Sequence, residues 1–348
     1  MPDRSTKSPS ARPSRLAEVA ELAAVSPATV SRVFNAPHLV GAETLKRVTE
    51  VAERLNYAPD GVAASLRRHR SLVVGAVMPS LRHAYFASTV EGLQSELAGS
   101  GYTLLLGVSQ FDDQAELGAV RSMIRQGVDG LVIVGRRHDP ALLPLIADSG
   151  KPYVLTWSYD AELPSVGVDH RKAMQAAVDH LLDLGHRDFA ALMAFPSIDR
   201  EQERIAGITD ALSRRGLSFT PDRLIDAGGS SLQNGRNAFR SARARYPSAT
   251  AIVCTNDLLA AGVLMECSAG GIAVPRDLSV VGYGDLDVAA ALNPPMTTVR
   301  VPSEEMGRIA ARSLVSRLNG KDDLLHIEIA TELVVRSSSG PAPLPQQR

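Results

Sequence analysis

The sequence predicts an α/β protein in which a small N-terminal unit of three helices precedes a two-lobed core built on parallel sheets. Short amphipathic helix patterns occupy the first 60 residues, and continuous apolar strands alternate with helices from residue 71 onward. The chain has 348 residues, of which 45% are hydrophobic and only 4% aromatic. That length allows at least two cores, and the composition favours helices packed on parallel strands over a β-sandwich.

The N-terminal unit is predicted from the spacing of its apolar residues. Ser14 can cap a first helix, whose apolar face comprises Leu16, Val19, Ala20 and Ala23. After a tight turn, Ser26 can cap a second helix over residues 27–34, with Pro27 in the first position, where its missing N–H costs nothing. A third amphipathic helix over residues 42–55 completes a helix-turn-helix unit.

Helix-turn-helix domains insert the start of their second helix into the major groove of DNA. The candidate DNA-facing residues are therefore Ser26, Pro27, Ala28, Thr29 and Arg32, while Val30, Val33 and Phe34 face inward. Arg32 can bridge guanine O6 and N7, whereas Pro27 and Ala28 offer only apolar contacts, so base recognition at those two positions should be loose. From spacing alone, a three-helix cluster without a DNA-binding role remains the alternative.

The core is predicted from alternating strand and helix signals. Apolar strands are expected at residues 72–78, 103–106, 130–134, 153–156, 189–193, 251–254 and 278–283. Helices are expected over residues 85–98, 114–125 and 173–184 and after Asp257. Continuous apolar strands between helices indicate parallel sheets covered on both faces, and such sheets bind ligands at the carboxyl ends of their strands. We therefore expect two similar lobes with a binding cleft between them.

Charge and hydropathy favour a cytoplasmic protein with a basic front end. Residues 1–70 hold 11 Lys and Arg against 7 Asp and Glu, although the net charge of the whole chain is -1. Residues 1–13 lack the apolar run of a signal peptide, and no later stretch is long and apolar enough to span a membrane. We expect no membrane partner.

No catalytic or metal-binding motif stands out. The sequence has no GxSxG motif, no Walker loop and no GxGxxG opening a βαβ unit, so we expect no enzyme activity, no cofactor and no metal. Cys254 and Cys267 lack metal-ligand spacing and are expected to be reduced packing residues. The scattered histidines His138, His170, His180 and His186 are expected at the surface or at helix caps.

Several stretches resemble the regulators of the lac repressor family. In the headpiece these are residues 16–20, 25–35 and 55–59. In the core they are residues 101–102, 127–131, 184–187, 204–207, 255–257, 282–283 and 295–299. The resemblance implies a sequence-specific DNA-binding repressor with a periplasmic-binding-protein-like (type I) core that binds a small-molecule effector. Residues 246–257 and 308–320 look most similar to gluconate repressors, which makes a sugar or a sugar acid such as gluconate the first expectation.

The resemblance also implies a domain organisation. Its segments are a disordered basic tail (1–13), a helix-turn-helix domain (14–58), a hinge helix (59–70), an effector-binding and dimerisation core (71–336) and a flexible tail (337–348). Lobe 1 would comprise about 71–169 and 301–325, and lobe 2 about 170–300 and 326–336. Two headpieces would read a near-palindromic operator, so a homodimer is expected.

For DNA binding, the resemblance adds Asn35 and Tyr57 in the headpiece and Leu66 and Arg67 in the hinge. The hinge segment is too short to form a stable helix alone, which suits a helix that forms only when two copies pair on DNA. Leu66 would wedge between base steps in the minor groove, and Arg67 would lie near phosphates. A plain basic linker with a buried Leu66 is the alternative.

For the effector, the resemblance implies a pocket lined by Tyr85, Phe86, Arg136, Trp157, Asp169, Arg204, Ser230, Asn256 and Asp257. Sugars need flat aromatic faces and paired polar groups, and a buried arginine accommodates a carboxylate. Arg136 and Arg137 add positive charge, which favours an acidic ligand. A salt bridge between Arg204 and Asp257, and core packing of Trp157, are the alternatives.

Two departures from the family pattern bear on the ligand. Residues 228–231 replace a common aromatic wall, and Thr156 stands where Asp is common. An enzyme and a free-standing sugar-binding protein remain rival classes, and a gel-shift assay with a palindromic operator separates them from a regulator.

We predict that Leu66→Ala weakens specific operator binding more than binding to random duplex, because only the specific complex uses the kink that the wedge opens. Fluorescence anisotropy with both duplexes measures the two losses. Equal losses on both would refute the wedge assignment.

Overall fold

A computed structural model of the protein describes residues 16–57, 70–321 and 326–343. The chain divides into two units, residues 1–71 and 72–348. The predicted DNA contacts Leu66 and Arg67 lie outside the described residues, together with the rest of the hinge up to residue 69. Among the helices described, none is long and apolar enough to cross a membrane.

The first unit contains the three helices that the apolar spacing predicts. They are α1 (Leu16–Leu22), α2 (Pro27–Asn35) and α3 (Ala42–Arg54), with a 3-10 turn at Pro37–Leu39. Their apolar faces form one small core that contains Val19, Ala20, Ala23, Val30, Val33, Val48, Val51 and Ala52. This arrangement is a helix-turn-helix.

The turn between α1 and α2 has a strained residue and two supporting hydrogen bonds. Ala24 has a φ of +50°, in the left-handed region where its Cβ is unfavourable. Arg47 Nε on α3 donates to the Ala23 carbonyl at 2.9 Å. Ser26 Oγ accepts from the Thr29 N–H at 3.1 Å, which caps α2 as predicted. The turn is therefore fixed from both sides.

The second unit contains two six-stranded sheets. The strands are β1 (Val73–Met78), β2 (Thr103–Val108), β3 (Gly130–Val134), β4 (Tyr153–Ser158), β5 (Ser165–Val168), β6 (Phe189–Met193), β7 (Leu224–Asp226), β8 (Ala251–Cys254), β9 (Ser279–Gly284), β10 (Thr297–Arg300), β11 (His326–Glu328) and β12 (Glu332–Val334). The helices are α4 (Ala84–Gly99), α5 (Asp113–Arg125), α6 (Leu142–Ser149), α7 (His170–Asp183), α8 (Asp199–Arg214), α9 (Leu232–Arg245), α10 (Asp257–Ala269), α11 (Asp287–Ala291) and α12 (Ser303–Leu318), with a 3-10 turn at Pro221–Arg223.

The two sheets define two lobes with similar strand orders. The first sheet has the order β11-β5-β4-β3-β1-β2 and the second β12-β10-β9-β8-β6-β7. The β10–β12 pair is antiparallel, and the other pairings among the described residues are parallel. Strands β3, β5 and β8 are buried along their whole length, as expected for sheets covered on both faces.

The chain passes between the lobes three times, after β5, after β10 and after β11. The expectation that lobe 2 resumes at residue 326 is wrong, because His326–Glu328 pairs in parallel with β5 of the first sheet. The Ile329 N–H then donates to the Gly167 carbonyl at 2.7 Å. The last passage therefore falls between Glu328 and Glu332.

The C-terminal segment is docked where a flexible tail was expected at residues 337–343. Ser338 is fully buried, and its Oγ donates to the Val280 carbonyl at 2.6 Å and accepts from the Thr297 N–H at 2.8 Å. The Gly340 N–H donates to Ser279 Oγ at 3.1 Å. These hydrogen bonds satisfy polar groups of β9 and β10. The composition of the segment alone does not indicate this docking.

We predict that Ala24→Gly stabilises the first unit by about 1 kcal/mol, because glycine adopts positive φ without the Cβ clash. Amide hydrogen exchange of residues 16–57 in the full-length protein should slow by roughly fivefold. Ala28→Gly, on an exposed helical position of α2, is the matched control and should accelerate exchange. Unchanged exchange in Ala24→Gly would contradict the strain at this turn.

Candidate DNA-binding surface and effector cleft

The start of α2 presents most of the predicted DNA contacts. Its exposed residues include Ser26, Pro27, Ala28 and Arg32, and Thr29 is partly exposed. Ser26 Oγ and Thr29 Oγ1 lie 2.9 Å apart, so these two hydroxyls are preorganised by each other. Val30 and Val33 are buried as predicted, which fixes the rotation of α2. Arg32 is a long polar side chain on this exposed face of α2.

Two further predicted DNA contacts lie at the ends of helices. Asn35 is the last residue of α2, and Tyr57 follows α3. The Tyr57 ring is partly buried and lies 6.0 Å from the Phe34 ring, at 57°. Tyr57 therefore also packs on the small core of the first unit.

In the second unit, aromatic side chains from both lobes meet in a cleft. Tyr85 and Phe86 at the start of α4 lie 5.2 and 5.1 Å from the Trp157 ring, between ring centroids. Phe111, after β2, stacks on Phe195, after β6, at 4.6 Å and 25°. Phe111 belongs to the first lobe and Phe195 to the second, so this pair joins the lobes. The structure thus brings the three predicted aromatics together and adds two more.

Arg204 on α8 lies at the centre of this cleft and is only 8% exposed. Its Nη1 donates to Glu201 Oε1 at 3.2 Å and to the Thr255 carbonyl at 3.0 Å. Its guanidinium carbon lies 4.2 Å from the centroid of the Tyr283 ring. The carboxylate partner of Arg204 is thus Glu201, one turn away on the same helix. The alternative of a salt bridge to Asp257 is wrong.

His170, the first residue of α7, connects the two lobes. Its Nε2 lies 2.9 Å from the Trp157 carbonyl oxygen and its Nδ1 2.7 Å from the Tyr283 hydroxyl. A carbonyl only accepts, so Nε2 carries the proton and Nδ1 accepts from Tyr283. Burial, together with the positive charge of Arg204, holds the pKa of His170 well below 6.5. The bridge is therefore a neutral imidazole.

The expectation that the histidines lie at the surface or at helix caps is wrong for three of them. His170 and His186 are 2% and 0% exposed, and the His138 side chain is 3% exposed. His138 Nδ1 lies 2.8 Å from a Glu116 carboxylate oxygen, and His186 Nδ1 lies 2.9 Å from Thr250 Oγ1. Each ring has polar partners within the fold, which the scattered sequence positions do not reveal.

Asn256 and Asp169 both cap helices. Asn256 Oδ1 accepts from the Leu259 N–H at 3.0 Å and from Ser230 Oγ at 3.1 Å, at the start of α10. Asp169 Oδ1 accepts from the Lys172 N–H at 2.9 Å, at the start of α7. Asn256 lines the cleft, and Ser230 supports it from behind.

Asp257 is fully buried and serves the fold. Its Oδ1 accepts from Thr298 Oγ1 at 2.6 Å, and its Oδ2 accepts from the Leu286 N–H at 2.7 Å. Burial raises the pKa of Asp257 to about 6, against the lowering effect of these hydrogen bonds. Both oxygens are engaged, so the expected contact of Asp257 with an effector is not supported by its position.

Arg136, after β3, is neutralised by carboxylates. Its Nη2 donates to Glu203 Oε1 at 3.0 Å, and its Nη1 lies 3.7 Å from Asp160 Oδ2. Its backbone N–H donates to Asp199 Oδ2 at 2.7 Å. Glu203 and Asp199 lie on α8 of the second lobe, so Arg136 bridges the lobes. Contrary to expectation, Arg136 therefore leaves no unpaired positive charge for a ligand, whereas Arg137 is exposed.

Among the described residues, one ligand-sized cavity and two small ones lie in the cleft. The larger, of about 450 Å³, is lined by Pro79, Ser109, Phe111, Asp112, Asp113, Gln114, Glu116, Val134, Arg137, Asp139, Ser197, Ile198, Asp199 and Arg200. A cavity of about 20 Å³ is lined by the five aromatic residues with Ile198, Arg200, Glu201 and Arg204. Another of about 10 Å³ lies between Tyr85, Trp157, Arg204, Asn256 and Tyr283. Of the predicted pocket residues, Tyr85, Phe86, Trp157, Arg204 and Asn256 line the two small cavities, whereas Arg136, Asp169, Ser230 and Asp257 line none of the three.

Several cleft residues escaped the sequence analysis. Phe111, Phe195 and Arg200 lie in loops or at a helix start just after strands of the two sheets. Their position after parallel strands is a signal that could have found them. His170 and Tyr283 could not be paired from the sequence, because 113 positions separate them.

The fold and cleft define a class of protein: a helix-turn-helix unit joined to a two-lobed, binding-protein-like α/β core. The model of the bacterial regulatory proteins of the lacI family matches residues 15–60, and that of the periplasmic binding protein-like domain matches residues 178–339. Catabolite control protein A of Streptococcus mutans is 33% identical over 323 residues, which cover 92% of this chain and 95% of that protein. The chain belongs to the lacI family.

Solved structures agree with this membership. The lac repressor dimer bound to operator and an anti-inducer is 27% identical, with a TM-score of 0.86 over 94% of this chain and 100% of that one. Transcription regulator GntR of Chromobacterium violaceum is 30% identical, with a TM-score of 0.74 over 77% and 99%. The chain is a DNA-binding transcription regulator, and its relatives are regulators rather than enzymes.

We predict that His170→Gln makes the free energy of unfolding depend less on pH below about 6.5. In the unfolded chain His170 titrates near 6.5, and in the folded chain well below it, so stability is complete above pH 6.5 and falls as the pH decreases. Asp257 acts oppositely, because its pKa is raised from 3.8 to about 6 on folding, so that its ionisation lowers stability as the pH rises between those two values.

Glutamine can donate to the Trp157 carbonyl and accept from Tyr283 without titrating. Urea unfolding at pH 7 and pH 5.5 gives the change of the unfolding free energy with pH. In the variant this change should be smaller than in the unmodified protein by up to about 1.4 kcal/mol per pH unit. His38→Gln, at an exposed site of the first unit, is the control. An unchanged slope in His170→Gln would contradict the neutral bridge.

Proposed function

We propose that this protein is a homodimeric repressor that binds a near-palindromic operator and responds to a sugar, or a sugar acid such as gluconate, bound between its lobes. The observation that carries the proposal is the cleft itself. Its walls come from different lobes and meet at Arg204, His170 and the Phe111–Phe195 pair. A ligand that prefers one arrangement of the lobes changes the population of that arrangement.

The DNA-binding part of the proposal is supported by the exposed start of α2. Arg32 has the donor geometry to read a guanine, while Ser26, Thr29, Asn35 and Tyr57 are assigned to phosphates or neighbouring bases. Pro27 and Ala28 add apolar contact. The hinge residues Leu66 and Arg67 are assigned to the minor groove and its phosphates.

The dimer part of the proposal is supported by exposed apolar side chains at an edge strand. Leu106 and Val108 on β2 are 38% and 43% exposed, and β2 is the last strand of the first sheet. Met265 on α10 of the second lobe is 43% exposed. Soluble proteins usually protect apolar edges, and a second copy of the chain would cover this one. The solved lac repressor that the chain resembles is a dimer on operator.

In the effector part of the proposal, the predicted residues divide into two groups. Tyr85, Phe86 and Trp157 supply aromatic faces, and Arg204 and Asn256 supply polar groups beside them. The others shape the site: Arg136 and Asp169 hold loops or helix starts at the lobe boundary, while Ser230 and Asp257 anchor α10 and its neighbours.

We predict that gluconate changes operator affinity by about tenfold, the scale of coupling between sites in ligand-responsive proteins. Anisotropy titrations of a selected operator with and without gluconate, glucose and a purine measure the change. A response to neutral hexoses alone would overturn the acidic preference, and no response to any sugar or sugar acid would overturn the effector proposal.

The same anisotropy assay tests whether Arg32 in the headpiece contacts a base. Arg32→Ala should lose about 1–3 kcal/mol on the operator and much less on random duplex, because a base contact specifies sequence. Arg125→Ala, at an exposed site of the second unit, is the matched control. Equal losses of binding free energy on both duplexes would show that Arg32 contacts a phosphate rather than a base.

A further inference from the structure

A side chain of α3 holds the turn between α1 and α2 in the first unit. Arg47 Nε donates to the Ala23 carbonyl at 2.9 Å, across 24 positions of sequence. Val48, the next residue of α3, is fully buried in the small core, so packing fixes the backbone that carries Arg47. The other hydrogen bonds described for this turn come from α1 and α2 themselves, whereas this one ties the turn to the third helix.

The bond from Arg47 controls the direction in which the chain enters α2. The Ala24 N–H belongs to the same planar peptide unit as the Ala23 carbonyl, and it donates to the Glu21 carbonyl at 3.1 Å. Both ends of this peptide unit are therefore hydrogen-bonded, and the plane cannot rotate without breaking one of the bonds. Its rotation would change the φ of Ala24, which is +50°. Ser26, the cap of α2, follows two positions later.

The positive charge of Arg47 suits this position. The carbonyls at the C-terminal end of a helix lack partners within the helix and carry partial negative charge. Helix α1 has no basic residue in its own last turn, so the Arg47 guanidinium supplies the cation from α3. Arg47 Nη1 also lies 4.0 Å from Glu43 Oε1, but Glu43 is 95% exposed and such a pair contributes little. The Ala23 carbonyl is therefore the contact that orders the guanidinium.

Base recognition by α2 depends on distances that apolar packing does not fix. Val30 and Val33 are buried and set the rotation of α2, but apolar contacts have no preferred direction and tolerate small shifts. A bidentate contact of Arg32 with a guanine requires donor–acceptor distances of about 2.7–3.2 Å. The start of α2 must therefore be held by directional bonds, and the bond from Arg47 to the Ala23 carbonyl is one of them.

We propose that Arg47 is a positioning residue for operator recognition, which acts on DNA through the Ala23 carbonyl and the start of α2 rather than by contact with a phosphate. The inference rests on the proposed recognition of an operator by α2, and it adds a specificity-determining residue on another helix. The Arg47 side chain is 45% exposed, so a phosphate contact is the alternative. A phosphate contact requires only positive charge and carries no sequence information, which makes the two roles separable.

Arg47→Lys tests the bond without changing the charge. Lysine has a carbon atom where arginine has Nε, so the donor to the Ala23 carbonyl is lost while a cation remains on α3. Full-length protein is titrated by fluorescence anisotropy with an operator selected from a random duplex library and with the random duplex itself. We expect operator affinity to fall about tenfold, the scale of a charge-assisted hydrogen bond, and random-duplex affinity to fall less than about threefold.

Lys46→Arg is the matched control, because it makes the reverse exchange at the adjacent exposed position of α3, where the side chain pairs with Glu50. It should leave both affinities unchanged. The decisive readout is the ratio of operator affinity to random-duplex affinity. A loss of stability alone would lower the folded fraction of the first unit and hence both affinities by the same factor. Amide hydrogen exchange of residues 16–57 measures that folded fraction in each variant.

A double variant separates orientation from stability. Ala24→Gly relieves the backbone strain in the same turn, so its addition to Arg47→Lys should restore stability. It should not restore the affinity ratio, because glycine supplies no donor for the Ala23 carbonyl. Recovery of the ratio in the double variant would show that Arg47 only offsets the strain at Ala24, and it would overturn the proposal.

An unchanged affinity ratio in Arg47→Lys would also overturn the proposal. Arg47→Gln tests the phosphate alternative on random duplex, where we expect the slope of log affinity against log salt concentration to stay the same. A slope that becomes shallower by about 0.9 would assign Arg47 to a phosphate instead. Failure of the proposed function gives a different result, because the unmodified protein would then not distinguish the selected operator from random duplex. If it does distinguish them, the variants test Arg47 alone.

Discussion

The neutral imidazole of His170 is the interaction on which the cleft depends. It joins the Trp157 carbonyl of the first lobe to the Tyr283 hydroxyl of the second. Its Nε2 must carry a proton to donate to the carbonyl, and its Nδ1 must be unprotonated to accept from the hydroxyl. Tyr283 in turn lies under the Arg204 guanidinium, at 4.2 Å. The left-handed Trp157 backbone, the ring of Tyr283 and the central arginine are thus fixed by one buried side chain, and the surfaces offered to a ligand follow from it.

Much of the fold follows from sequence patterns because those patterns report local constraints. Residues 130–134 are continuously apolar and form a buried strand with those bounds, and the helix over residues 27–34 extends by one residue. The tight turn after α1 likewise lies where the spacing predicts it, and Ala24 within it has a positive φ. Short elements were missed: β11 has three residues, and only its pairing with β5 shows to which lobe it belongs.

The candidate site was predictable as a place but not as a set of roles. Parallel strands predict a ligand cleft at their carboxyl ends. The resemblance assigned Tyr85, Trp157 and Arg204 to that cleft, and the structure places these three side chains around the same small cavities. Which groups remain available depends on partners distant in sequence. Both carboxylate oxygens of Asp257 accept hydrogen bonds, from Thr298 and Leu286, and Arg136 forms ion pairs with Glu203 and Asp160. Such pairings are decided by distances of a few ångströms between segments, which residue type and spacing do not encode.

The three passages of the chain between the lobes limit how the lobes can move. β11 lies beside β5 in the first sheet, and β12 lies beside β10 in the second, so the three connections run next to one another. Three adjacent chain connections resist sliding and separation of the lobes. They permit a small hinge rotation about an axis that passes through them. The connections therefore confine relative movement of the lobes mainly to this rotation, so we expect ligands bound at different points of the cleft to act on the same movement.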